Sequence, residues 1–326
     1  MAFTRPLQLC RPAFLLAVLM SGFGNLYAQN SAATQLLNQG RVDEAAAVIG
    51  KDLAKQSHDA QAHQLLCRIN YAQDMGDAAV HECELATQYA ANSANQMWLG
   101  RAYGLKASQA NMLSAFGIAK KVHVAFERAV QIDQNNVEAM SDLGQFYVNA
   151  PGIVGGGTDR ARELATRLMP RSAARGHRLL GQIAAKNKDL STAETEFKAA
   201  IAAAKTPESW VDLGLFYQQN GQADKAMAAL QSSIEANRQK NAALVDAASI
   251  LTDLKQQPEL AEKCLRDYLA SPAKTDVAPA FKVHLQLGDL LKRRGDMAGA
   301  KREYAAALAL ASGFPPAVKA GQGAQQ

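Results

Sequence analysis

Few residues of this 326-residue chain stand where they could do chemistry. Cysteines occur at positions 10, 67, 83 and 264, and His63 lies one helical turn before Cys67. Two chemistries are open to such a group, a disulfide or a Cys–His metal site. No Cys-x-x-Cys pair and no fourth ligand accompany them, and His81 is too close to Cys83 in sequence to share its direction, so no metal is expected. A second candidate is Gly155-Gly156-Gly157-Thr158. Three glycines before a helix start offer free N–H groups to an anion. No lysine follows the last glycine, as a P-loop requires, and Asp159 would repel an anion while suiting the helix dipole. A tight turn, with Thr158 capping the next helix, is the favoured reading; an anion-binding loop is the alternative. The six histidines are scattered, and no nucleophile elbow, paired catalytic carboxylates or zinc-protease motif is present. No catalytic residue, metal or cofactor is expected, and the chain reads as a non-enzyme.

The first thirty residues differ from the rest. Arg5 and Arg11 precede the apolar run from Ala13 to Met20, and small residues lead to Ala28-Gln29. This is the pattern of a secretory signal peptide, 1–28, cleaved after Ala28. The run is too short to span a bilayer, and Cys10 lies before it, where no lipid-modified cysteine would stand. Without Arg5 and Arg11, 33 basic residues face 30 acidic ones, a net charge of +3. That balance does not argue for nucleic acid. No internal stretch reaches the ~18 apolar residues of a membrane span. Export to an oxidising compartment would let cysteines pair.

The elements that must position these residues announce themselves by a period. Alanine recurs near 34-residue intervals, at Ala45, Ala79, Ala161, Ala193, Ala226, Ala261 and Ala300. A small residue stands about twelve positions before most of them and a large apolar one four beyond. Such a period marks helical hairpins that bury their apolar faces only against neighbouring hairpins. Trp210, Leu213, Gly214, Tyr217, Gly221, Ala226, Leu230 and Ser233 carry the pattern most clearly. Leu180, Gly181, Ala184, Ala193, Phe197 and Ala200 repeat it, as do Leu287, Gly288, Leu291, Gly295, Ala300, Tyr304 and Ala307. Local signals agree: Thr206-Pro207 starts a helix, Ser191-Thr-Ala-Glu194 reads as a capping box, and Gly221 and Gly295 supply turns.

These residues resemble the tetratricopeptide repeat, a 34-residue helix–turn–helix unit. The resemblance implies an all-α solenoid of about eight helical hairpins over 29–312, curved and open, with a flexible tail at 313–326. The segments Trp98–Gly104, Ala115–Lys121 and Ala150–Gly157 also resemble a family of exported bacterial tetratricopeptide proteins of unsettled role. A more distant similarity is to periplasmic repeat components associated with tripartite solute transporters.

Two units depart from the pattern. Gly100 to Val122 spans 22 residues where twelve are usual, and Gly144 to Ala161 spans 17. Both insertions, within 104–121 and 150–158, fall in the turn inside a hairpin and should lie side by side on one edge. The first is expected to be a helical extension folding over the concave face.

The repeat register assigns the remaining candidates. Cys67 and Cys83 take the two positions that meet between the helices of one unit, so a Cys67–Cys83 disulfide is expected, with Cys264 free. Ligands of such arrays lie in the groove lined by first helices. Here that implies Arg68, Arg101, Gln145, Arg175, Arg178 and Gln182, with Lys106 from the insertion. Arginine among polar amides favours an acidic peptide or a carboxylate terminus. The expectation is a periplasmic interaction scaffold that binds a protein or peptide in its concave groove. The alternative is a small-molecule or lipid-binding protein whose pocket the insertions roof around Met112, Phe116 and Ile118.

Overall fold

The computed structural model describes residues 32–323. The expected signal peptide, with Cys10 and the proposed cleavage point, lies outside the described residues. Among the described residues every regular element is a helix. They form eight antiparallel hairpins: α1 (32–38) with α2 (Val42–Leu53), α3 (Ala60–Ala72) with α4 (Gly76–Tyr89), α5 (Ser93–Gln109) with α6 (Met112–Ile132), and α7 (Val137–Asn149) with α8 (Thr158–Leu168). The series continues with α9 (Ala173–Lys186) and α10 (Leu190–Ala204), α11 (Pro207–Gln219) and α12 (Ala223–Ala236), α13 (Ala243–Asp253) and α14 (Pro258–Ala270), then α15 (Ala280–Arg293) and α16 (Met297–Leu310). A last helix, α17 (Pro315–Gly323), follows.

The periodic alanines explain the stacking. All seven are fully buried at the crossing of the two helices of a hairpin. The small residue facing each sits just as close. A Cβ on Gly288 would lie 2.4 Å from the Tyr304 ring, and one on Gly100 would lie 2.5 Å from Phe126. The aromatic ring of one helix thus rests on bare backbone of the other, which a methyl would prevent.

Helix starts follow local hydrogen bonding. Asp59, Asn92, Asn111, Asn136, Asp189, Thr206 and Asp296 accept N–H bonds from the first turns of their helices. Asp189 takes this role in place of the expected Ser191 box, because helix α10 begins one residue before that serine. Gly221 and Gly295 adopt left-handed φ in the turns expected of them.

Two expectations about the ends of the coil are corrected. The segment after Gly313 is no loose tail through residue 323: Pro315 and Pro316 open α17, and Phe314 and Ala317 are buried. The coil is also not open. Ala33, Leu37, Ala62 and Leu65 from the first two units share one core with Phe281, Ala307, Ala311 and Phe314 from the last. Phe281 and Phe314 meet edge to face at 4.9 Å. Arg68 binds Asp276 at 2.8 Å, Lys282 binds Asp74 at 2.7 Å, and the Ser312 N–H donates to Asp43. Terminal repeats must cover an apolar face that has no neighbour, and here each end covers the other.

Candidate functional site

Successive first helices touch through polar side chains, Arg101 with Asp142, Gln182 with Gln145 and Arg178 with Asp212. The seven residues expected in the groove divide into two groups. Gln145 on α7 and Arg178 and Gln182 on α9 line one cleft of about 370 Å³ between α7, α9 and α11. Lys186, Lys188, Asp212, Leu215 and Phe216 contribute to the same cleft. Arg175, one turn before Arg178, reaches the Ser141 hydroxyl at 3.2 Å. Arg68, Arg101 and Lys106 lie elsewhere and are not brought to this cleft. Arg101 binds Asp142 at 2.6 Å beneath the Trp98 ring, Arg68 binds Asp276 under the same ring, and Lys106 binds Asp77 at 2.7 Å.

Arg68, Arg101 and Arg178 are therefore matched by carboxylates of this chain, whereas Arg175 has only the Ser141 hydroxyl. Arg178 binds Asp212 at 2.9 Å, and Gln182 donates to Gln145 at 2.8 Å. Burial holds Asp142 and Asp212 above the usual carboxylate range even with Arg101 and Arg178 beside them. Asp246 takes the next equivalent position on α13 and has no hydrogen bond or ion pair among the described residues. Its side chain is exposed, yet desolvation among the neighbouring helices, with Asp212 and Glu208 nearby, pushes its pKa up to about 6. Lys186 and Lys188 make no ion pair and line the far side of the cleft. The cleft thus holds two lysines without an ion pair, the Arg178–Asp212 pair, and the rings of Phe197 and Phe216.

Sequence reasoning overlooked these carboxylates and Lys188. Asp212 and Asp246 are 34 residues apart, one repeat, and that spacing was the available signal. It also overlooked order among the histidines. His63, His177 and His284 occupy one register position in the second, fifth and eighth units, and each bonds a glutamate nineteen residues on, at 2.7 Å. His63 is held by Glu82 and by the Ser57 carbonyl, so it is a clamp between helices. No cluster of three metal-binding side chains occurs among the described residues. Cys67 and Cys83 are joined in a disulfide, with Cα atoms 5.2 Å apart, and Cys264 is a buried free thiol.

The insertions lie together, as expected, and the first does not enclose Met112 or Phe116. The first lengthens both α5 and α6, and its Gln109 and Lys106 reach back to Asp74 and Asp77 of the preceding unit. Met112 and Leu113 are exposed to solvent and Phe116 is nearly half exposed. The glycine loop packs on His123 of α6, where a Cβ on Gly155 would meet the ring at 2.4 Å. Its amides are used within the loop: Gly155 donates to Gly152, Gly156 to Pro151, and Gly157 to the Tyr147 carbonyl at 2.8 Å. No N–H group of Gly155–Gly157 is left for an anion, so the turn reading holds. Gly157, not Thr158, is the residue before α8, and Thr158 makes no capping bond.

Residues 207–240 match the family model of the tetratricopeptide repeat. No curated protein sequence matches the chain. Among solved structures, yeast Tom70 is similar at 16% identity with a TM-score of 0.52, over 87% of this chain and 58% of that one. A thermophilic TPR protein in Thermus thermophilus is similar at 19% identity with a TM-score of 0.47, over 69% of this chain and 98% of that one. The Tom70 likeness shows the fold, a tetratricopeptide-type α-solenoid; the chain spans a little over half of the Tom70 structure.

Proposed function

We propose that this closed solenoid is a non-catalytic scaffold that is exported to the periplasm and holds a protein or peptide partner in the α7–α9–α11 cleft. One observation carries the reading. Three consecutive first helices leave a cleft of about 370 Å³ in which Lys186 and Lys188 have no ion pair, while Arg178 is paired with Asp212 and Gln182 with Gln145. A cavity with a few convergent polar groups over an aromatic floor is the ordinary form of a recognition site. An extended segment or a chain end fits it better than a folded surface, since the cleft is narrow and lies inside the coil.

An acidic residue or C-terminal carboxylate of the partner would meet Lys186 and Lys188. Arg178 is not the anion-binding group, because Asp212 already neutralises it. The lysine-and-asparagine clamp of chaperone-binding relatives is absent here: first-helix position nine carries Arg68, Arg101, Gln145, Gln182 or Leu215.

The reading is tested by capture of partners on the purified mature protein, compared with the K186E/K188E variant. The two lysines are exposed, so the variant should fold normally. Loss of one captured species by tenfold or more supports the cleft as the binding site. Equal capture by both proteins would place binding elsewhere.

A further inference from the structure

Several exposed large apolar side chains, among them Met75, Met112, Leu113, Ile153, Leu190 and Met297, stand at or beside the turns inside the hairpins. At the end of the α5–α6 hairpin Met112 and Leu113 show 79% and 87% of their surface, and Phe116 lies one turn on. Ile153, in the neighbouring glycine loop, is also exposed. The ten inserted residues add about five to each helix, so the tip projects roughly 7 Å beyond a normal turn at 1.5 Å per residue.

Charge along the inserted stretch itself has one sign, while Asp74 and Asp77 of the preceding hairpin lie against its Gln109 and Lys106. Between Glu84 and Glu127 the chain has no acidic residue. Of the cations in that stretch, Arg101 and Lys106 are engaged by Asp142 and Asp77. Lys120 and Lys121 are exposed and have no carboxylate partner; Lys121 rests 5.2 Å from the Tyr103 ring. They lie seven and eight residues beyond Leu113 on α6, about 10 Å up the helix.

We propose that this tip docks the protein on a membrane surface carrying anionic lipid. Met112, Leu113 and Phe116 enter the boundary between headgroups and acyl chains, and Lys120 and Lys121 meet the headgroup phosphates. The dimensions agree, because an interfacial element buries its apolar face about 5–10 Å deep. The tip's projection matches that depth, and its lysines stand at the height of the headgroups. Each cation near an anionic surface strengthens attachment, and the effect fades with salt. A second copy of the chain is a poorer occupant. Three side chains at the end of a convex hairpin offer a few hundred Å², less than the ~800 Å² per partner of a stable interface.

The test uses the mature protein and vesicles of phosphatidylcholine, with and without 30% phosphatidylglycerol. The protein should sediment with the anionic vesicles and not with the neutral ones. K120E/K121E, and separately the triple serine variant at Met112, Leu113 and Phe116, should each lower the bound fraction at least fivefold. The variant L113W should show a blue-shifted emission with anionic vesicles, a readout that a folding defect elsewhere would not produce. Wild-type-like sedimentation of the serine variant, or no shift from L113W, overturns the proposal. So does a dimer of the wild type that the serine substitutions dissolve without any vesicle binding, since a second copy would then be the occupant.

Discussion

At the scale of single residues, side-chain direction decides chemistry. Cys67 and Cys83 are sixteen residues apart, and their shared direction follows from the place each takes in an antiparallel hairpin. The bond closes a loop of ~17 residues, so reduction or C67A/C83A should lower stability by about 3 kcal/mol on the chain-entropy scale. Urea unfolding with and without reductant measures this; equal midpoints would show that the bond contributes nothing. Burial lifts the Cys264 thiol to about 11, and this cysteine should alkylate only after denaturation. Asp246 supplies a pH prediction. Its folded pKa near 6 exceeds the ordinary 3.8, so the folded protein binds the proton more tightly than the unfolded chain. Stability contributed by the protonated form is therefore present at pH 4 and is lost as pH rises toward and through 6. Asp246→Asn should stabilise the protein at pH 7 and not at pH 4, by less than about 1 kcal/mol because groove water screens the charge. A larger gain at pH 4 would contradict this sign. The disulfide was legible because repeat register gave both cysteines a direction. The pairing of Arg101 with Asp142 and of Arg178 with Asp212 was not, since it joins residues of different units whose reach depends on how the hairpins stack.

Among elements, the regular hairpins were readable and the joints between unlike parts were not. Ala226 and Gly214 announce a crossing because only small side chains allow it. Nothing comparable announces α17, whose proline pair and glycine-rich end resemble a loose tail. Its stability comes from Phe314, which has its partners at Phe281 and across the coil in the first units. Phe314→Ala should therefore cost about 3–5 kcal/mol, the usual range for a buried phenylalanine. A loss below 1 kcal/mol in thermal or urea unfolding would show that the helix is not docked in solution. The glycine loop is as demanding. A Cβ on Gly156 would lie 1.8 Å from the Ala150 carbonyl oxygen, so backbone must move to admit alanine. Gly156→Ala should destabilise by about 1–3 kcal/mol, as overpacking does, whereas Gly152→Ala, with open space around it, serves as the mild control.

For the whole molecule, the decisive property is closure. Contacts such as Arg68–Asp276 and Lys282–Asp74 join residues 208 apart, and no local pattern encodes them. They arise because the summed rotation of eight stacked hairpins returns the last unit to the first. Apolar contact between the ends then carries the stability, for the half-exposed Lys282–Asp74 pair contributes under about 1 kcal/mol and the more buried Arg68–Asp276 pair must first offset its own desolvation. Closure also gives the inner face a fixed width, so the α7–α9–α11 cleft would receive a partner without first being assembled. The account's central claim is that partners are held inside the coil. Photo-crosslinking in the host cell tests it most directly, with the reactive side chain placed at Gln182, at Leu215, or at Lys198 on the outer helix α10. The account predicts one common adduct from Gln182 and Leu215 and none from Lys198. An adduct from Lys198 alone, or no adduct from either inner position, would contradict it.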